Sequence, residues 1–522
     1  MRANKSSCTS AIAFPRAALK VALGSVIGLL VLSGCSTFDV DSARLHNDEI
    51  VSQLAKDRAA LTRDVAPLNG PLSLDEAIAR AVKYNAERRY RAMEEAVATN
   101  TFEAGKFDML PKLIASAGYR DRNNDLITRS VDSVTGEPSL ANPYISSSRH
   151  ATTTGIGISW SLLDFGQSYY AAKQNANRVL IAQEHRRKAL HNLIMDVRSA
   201  YWRVVAAQKL MPELRTTIAE SERALKDAQA AEQDRIRSPL EPLRYQRQLL
   251  ENLRLLEAIE QELSTARVEL AQLTALPLTA EYTVADSAEG VNTAWLNQPV
   301  DKLEELALVR NPDLRNGIYD ARIAQLETRR TLLKFFPGLS FDYGYKHSDD
   351  DYLINRNWNE AGVQISFDLL GLLSAPAQMR LADAGVALAD QHRMALQMAV
   401  LSQVHIARLQ YANAAHLYER SDEVAQVDAR LAQQITNLAS AQQQSDLDRI
   451  SQQSASVLSQ LRRYQALSDA QAAASRLQAT LGMEPEIEGS ADMPLPELTA
   501  AVAHSLAAWN NGQLPSAQQA LR

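Results

Sequence analysis

KALHNLIMDVRSAYWRVVAAQKLMPELRTTIAESERALK, residues 188–226, is the middle of a stretch from Phe165 to Pro239 whose reading decides the fold. After Gly166 the stretch has no internal glycine and one internal proline, Pro212. Apolar residues recur at Leu190, Ile194, Val197, Tyr201, Val204, Met211, Leu214, Ile218 and Leu225, in steps of three and four. Two gaps of seven are filled by Gln208 and Glu222. That is a heptad seam. At about 1.5 Å per residue it predicts a helix roughly 110 Å long, against three or four turns for an ordinary globular helix.

The flanks extend the pattern. Downstream, Pro239 and Pro242 turn the chain, and a second heptad-rich helix is predicted over 243–276, ended by Pro277. Upstream, Ser73 with Glu76 reads as a capping box opening a helix from Leu74 to about Asp108. After Pro111, Leu113, Ala115, Ala117 and Tyr119 alternate with Ile114, Ser116, Gly118 and Arg120. A polar loop over 121–150 leads to a second alternation, Ile156, Ile158, Trp160 and Leu162 against Gly155, Gly157, Ser159 and Ser161. Residues 36–72 read as irregular.

The same order then recurs. Asn85 matches Asn311, Pro111 matches Pro337, and Gly118-Tyr119 matches Gly344-Tyr345, all at an offset of 226. Beyond the loop the offset is 205, pairing Gly157 with Gly362 and Gly166 with Gly371; near the tips it is 207, pairing Ser238 with Ser445 and Ala275 with Gly482. A fixed landmark order is a repeat. The second strand pair carries Leu339, Phe341, Tyr343 and Tyr345 on one parity and Ser340, Asp342, Gly344 and Lys346 on the other. Such alternation fits a transmembrane barrel, and equally a soluble hairpin over a helical core. Four strands cannot close a barrel, because the smallest need about eight and an open edge is excluded from lipid. A membrane reading therefore requires an oligomer. In each half, the helices before the hairpin and after the tip turn sum to the length of the long rod, as matched rods of a cylinder would.

The N-terminus favours the membrane reading. Residues 1–34 hold Arg2, Lys5, Arg16 and Lys20 and no acid, followed by an apolar run from Val21 to Leu32, as in an export signal. The run is short for a bilayer anchor. Leu32-Ser33-Gly34-Cys35 resembles a bacterial lipobox, in which Cys35 is lipidated (palmitate among the acyl groups) and heads the mature chain; Ser36 rather than Asp after it favours the outer membrane. The net charge of −6 becomes −10 without residues 1–34, which excludes a basic nucleic-acid footprint. With only Cys8 and Cys35 present, no disulfide framework is expected.

Taken together, Leu74-Asp75-Glu76-Ala77-Ile78 with Asn85, their counterpart Leu303-Glu304-Glu305-Leu306 with Asn311-Pro312-Asp313-Leu314, the entries Leu110-Pro111 and Phe336-Pro337, and the turns Trp160-Ser161-Leu162-Leu163-Asp164-Phe165-Gly166 and Phe367-Asp368-Leu369-Leu370-Gly371 resemble the TolC-type outer-membrane efflux family, nearest its lipoprotein branch. The likeness covers about residues 72–483. It implies a mainly α fold with a membrane β-barrel portion: a homotrimer with four strands per chain in one 12-stranded barrel and a long helical periplasmic tunnel. It also implies docking to a periplasmic adaptor (membrane fusion) protein and an inner-membrane pump of RND, ABC or MFS type, with passive efflux or export. Tyr119, Trp160, Phe341, Tyr343 and Tyr345 would then face outer-membrane lipid. At the tunnel entrance Asp448 matches an acidic gate position, with Glu241 as its first-repeat counterpart and Asp446 and Arg449 beside it; Ser451 stands where a second Asp is found in the family. Asp446 and Asp448 equally suit capping of a helix N-terminus. The tip glycine of the family is replaced by Arg235 and Gln442.

The chain divides accordingly: a lipoprotein signal over 1–34; a lipidated segment over 35–72; repeat 1 over 73–277, with hairpin 112–162, long helix 166–237 and helix 243–276; a linker over 278–299; repeat 2 over 300–483, with hairpin 338–368, long helix 372–441 and helix 446–481; and a C-terminal tail over 484–522 near the tunnel's equator. No catalytic pattern is present: HExxH, a P-loop and paired cysteines are absent. His405 and His416 share a helix face but lie about 16 Å apart, too far to share a metal. No enzyme, metal or cofactor is expected. A lipid-anchored periplasmic coiled-coil scaffold is the competing function, and within the channel class type I protein secretion competes with small-molecule efflux.

Overall fold

The computed structural model describes residues 44–138, 143–233, 240–285, 290–441, 443, 445–483, 487, 489–490 and 492–512. Cys35 and the export signal lie outside them, as do Arg235, Ser238, Pro239 and Gln442. The chain divides after Asp64.

In the first unit the expectation of irregular structure over 36–72 is corrected. Helix α1, Asn47–Thr62, lies there with every residue exposed. The stretch has no glycine or proline, and Asp48 and Glu49 in the first turn complement the exposed amides.

The second unit is mainly helical. The single helix expected from Leu74 to Asp108 is two: α2, Leu74–Tyr84, and α3, Ala86–Phe107. Asn85 makes the break. It is extended (φ −60°, ψ 130°), its N–H reaches Ala81 O, and its side chain accepts from Arg88 N, so one residue ends one helix and caps the next. The Ser73 cap accepts from Glu76 N at 3.1 Å. Strand β1, Lys112–Asp121, follows, then a short ladder of β2 (Ile127–Thr128) with β3 (Tyr144–Ile145) inside the expected polar loop, then β4, His150–Ser161.

The long helix α4 runs Leu162–Gln233, 72 residues, about 108 Å by helical rise. It starts directly off β4, so Gly166 is not a turn residue but lies in the helix. A Cβ there would stand 2.9 Å from Leu333 Cδ1, so glycine permits close helix packing. Instead of one helix over 243–276 there are α5, Leu240–Ser264, and α6, Ala266–Thr274. The interruption is a single residue, Thr265.

The second half repeats this plan with α7, Val300–Arg310, and α8, Pro312–Leu333, broken at Asn311. Pro312 lacks an N–H and steers Asn311 away from helical torsions. Strands β5, Gly338–Ser348, and β6, Asn357–Ser366, precede α9, Gly371–Ser440, and α10, Asp446–Thr480. The tail contains α11, Leu495–Asn510, which packs on α2.

Helices α3, α8, α5 and α10 all lie along α4, and α8 and α10 lie along α9. One core gathers Tyr201, Trp202, Leu214, Leu256 and Leu467; the other gathers Trp295, Leu303, Val404, Leu477 and Trp509. Each fully buried large side chain contributes about 1.5–3 kcal/mol. The rings of Trp295 and Trp509 stack at 4.2 Å and fasten α11. The other faces of the rods are not covered: Leu388, Leu409 and Leu417 of α9 and Met93 and Val97 of α3 are each more than half exposed. No helix among the described residues is long and apolar enough to cross a membrane.

Candidate conduit: a two-faced sheet and an acidic helix tip

The four long strands form one antiparallel sheet in the order β1-β4-β5-β6. Its register joins Leu113, Ile158, Tyr343 and Ala361 in one row and Trp160, Phe341 and Val363 in another. Directly paired residues share a face, so Tyr119, Trp160, Phe341, Tyr343 and Tyr345 all lie on one side. Phe341, Tyr343, Tyr345 and Tyr119 are 40–67% exposed, and Trp160 stacks on Phe341 with centroids 6.3 Å apart. An exposed aromatic face of this kind marks an interaction surface.

The opposite face reads Ser116, Gly155, Lys346; Ile114, Gly157, Gly344, Glu360; and Ser159, Asp342, Gly362. The glycines leave a hollow of about 470 Å³ there. Lys346 Nζ meets Glu360 Oε2 across it at 2.6 Å. Strands β1 and β6 end the sheet, each with one edge unpaired among the described residues. Beyond the strands, Asp350 ties the two outer loops together. It accepts from Ser148 N (2.9 Å), Tyr352 N (3.2 Å), Ser147 Oγ (3.2 Å) and Arg120 Nη2 (3.2 Å). The Ser148 amide foremost among these holds its carboxyl down at about 2.

At the far end of the rods, Ser445 caps α10. Its Oγ accepts from Asp448 N at 3.2 Å and donates to Asp448 Oδ2 at 2.6 Å. Arg449 pairs with Asp446 at 3.3 Å and with Glu220 of α4 at 2.5 Å. The hydrogen bond to Glu220 raises the Arg449 pKa. Asp446, Asp448 and Arg449 are thus brought together, with Asp448 engaged in the cap. Glu241 lies in the first turn of α5, and its side chain is outside the described residues. Glu220 is the member that sequence reasoning missed: it lies 229 residues from Arg449, and no local pattern marks it. His405 pairs with Glu304 at 2.7 Å, and no group of three His, Cys, Asp or Glu among the described residues suits a metal ion.

Residues 91–276 match the family model described as outer membrane efflux protein. Among solved structures, the chain is similar to the outer membrane channel CmeC of Campylobacter jejuni (TM-score 0.62, 13% identity, covering 82% of this chain and 89% of that one). It is also similar to the open-state outer membrane channel MtrE of Neisseria gonorrhoeae (0.57, 16%, 79% and 91%) and to the outer membrane protein VceC of Vibrio cholerae (0.56, 12%, 79% and 97%). No curated protein matches the sequence. The family match covers about a third of the chain, and the likeness to these outer membrane channels extends the same fold over most of it.

Proposed function

We propose that three copies of this chain close their sheets into a single 12-stranded barrel in the outer membrane, continued by a periplasmic tunnel of paired rods. The carrying observation is the sheet itself: two unpaired edge strands, one aromatic exposed face and one glycine-rich polar face. With alternating antiparallel neighbours, β6 of one copy runs antiparallel to β1 of the next, so closure continues the ladder and removes both edges. The aromatic face then meets lipid and the polar face lines the lumen. The apolar stripes of α3 and α9 would be covered by neighbouring copies.

In this assembly the channel is passive, and an inner-membrane pump of RND, ABC or MFS type, joined by a periplasmic adaptor, supplies the energy. The cargo is a small molecule or a type I secreted polypeptide, as the pump dictates. Cys35 carries the lipid that adds an outer-membrane anchor. Three copies of Asp448 at the entrance, with Asp446, Glu241 and Arg449 near them, would favour cations. Fractionation with bilayer recording tests this reading. A heat-modifiable trimer in the outer membrane that conducts is expected; a monomer extracted by carbonate overturns it in favour of a lipid-anchored scaffold.

A further inference from the structure

A cavity of about 170 Å³ lies between α2, α4, α9, α10 and α11, away from both the sheet and the helix tip. Arg198, 4% exposed, is the one cation that lines it among the described residues. The guanidinium donates from Nη1 to Ser475 Oγ at 2.9 Å and from Nη2 to Gln471 Oε1 at 2.6 Å. Both acceptors are neutral, so the hydrogen bonds hold the group without balancing its charge. Its Nε–H has no acceptor among the described residues, and neither has Nε1–H of Trp202, which lines the same cavity and is 2% exposed.

Asp75 also lines the cavity, yet it is not the missing counter-charge. Burial alone raises its carboxyl, with no lowering by Arg198, and burial without a carboxylate pushes Arg198 down to about 10. A buried cation without a partner is strongly unfavourable, and a planar guanidinium matches a carboxylate best. The rest of the lining is mixed: Trp509, Leu506 and Val291 offer apolar and aromatic surface, beside the polar Asn292, Tyr411 and Asn510. An apolar cavity of about 150 Å³ takes up benzene, so this one has room for a single ring with a small charged group.

We propose that the cavity binds a small monocarboxylic acid with an apolar or aromatic body, its carboxylate against Arg198 and its body against Trp202 and Trp509. Bound there, the acid bridges α4 to the C-terminal helix α11. The proposal stands apart from the channel reading, since none of these residues belongs to the sheet or the tip.

Equilibrium dialysis of radiolabelled benzoate against the purified full-length protein tests it. Saturable binding of one benzoate per chain is expected, with benzamide at least about tenfold weaker because it offers no charge. Arg198→Met should weaken benzoate by about tenfold or more, and Trp202→Phe, which keeps the ring and removes the donor, by a few-fold. The benzamide comparison needs no variant, so a failure of Arg198→Met to fold leaves the test intact. Absent saturation, equal binding of benzamide, or undiminished binding by a folded Arg198→Met protein overturns the proposal; water then satisfies the arginine. Conductance is not read, so the channel reading fails or survives separately.

Discussion

Ala275 and Gly482 end the last helices of the two halves in the same left-handed backbone conformation, with φ of 56° and 67°. Glycine adopts it freely, whereas an L side chain pays about 1–2 kcal/mol. Ala275→Gly should therefore stabilise the protein by about 1 kcal/mol, seen as a higher urea midpoint. The reverse change is not symmetric. A Cβ on Gly482 would lie 2.5 Å from Arg310 O, so Gly482→Ala combines torsional strain with a backbone clash and should lower the midpoint by more. Equal and opposite shifts would refute this account.

Asn85 and Asn311 make a second matched pair. Each caps a helix and donates its Nδ2 to the closing helix of its half, Asn85 to Leu273 O at 3.3 Å and Asn311 to Thr480 O at 3.0 Å. Asn85→Ala and Asn311→Ala should each cost about 1–2 kcal/mol. Asn→Ser, which keeps an N-cap acceptor but is too short to reach across, should recover part of that loss. Full recovery by Ser would mean that only the cap matters.

These residues show what the sequence disclosed and what it withheld. The recurrence of Asn85 at Asn311 was visible, but its helix-breaking role was not, because apolar spacing continues across it. Gly166 looked like a turn because a glycine after a strand usually is one; its packing against Leu333 is a contact of 167 residues' separation. The two faces of the sheet were legible because period two survives any antiparallel pairing that keeps parity. Ion pairs such as Glu220 with Arg449 and the enclosure around Arg198 depend on how distant helices meet, and neither leaves a local signature.

Asp350 makes the outer loops pH-dependent. Its ordinary value is 3.8 and its carboxyl is held at about 2. Because the folded value is the lower, the tie is fully present above 3.8 and is lost as pH falls through 3.8 toward 2. Asp350→Asn should loosen the loops, raising their rate of proteolytic nicking several-fold at pH 7. The difference from wild type should shrink between pH 4 and pH 2, followed with an acid protease. A constant ratio across that range would show that Asp350 is not the group responsible.

Capping and gating at Asp448 can be separated. Asp448→Asn keeps an acceptor for Ser445 and removes the charge, whereas Ser445→Ala removes the cap and keeps the charge. In a reconstituted channel, Asp448→Asn should lower cation selectivity and block by multivalent cations while changing stability little. Ser445→Ala should cost about 1 kcal/mol and leave selectivity nearly intact. If only Ser445→Ala alters selectivity, the carboxylate acts through the helix cap and not through its charge.

The adjacent residues Asp342 and Tyr343 test the sheet most sharply, because they point to opposite faces. On the aromatic face, Tyr343→Lys places a charge where lipid is proposed, at a cost of up to about 2–4 kcal/mol per chain near the bilayer midplane. Three copies multiply that cost in a trimer, so assembled, heat-modifiable protein should fall steeply. On the polar face, Asp342→Lys stays in water and should assemble normally while shifting conductance toward anions. Lys346 and Glu360 already tolerate charge on that face, paired at 2.6 Å. Were Tyr343→Lys to assemble and Asp342→Lys to fail, the faces would be reversed and the aromatic rows would line the lumen.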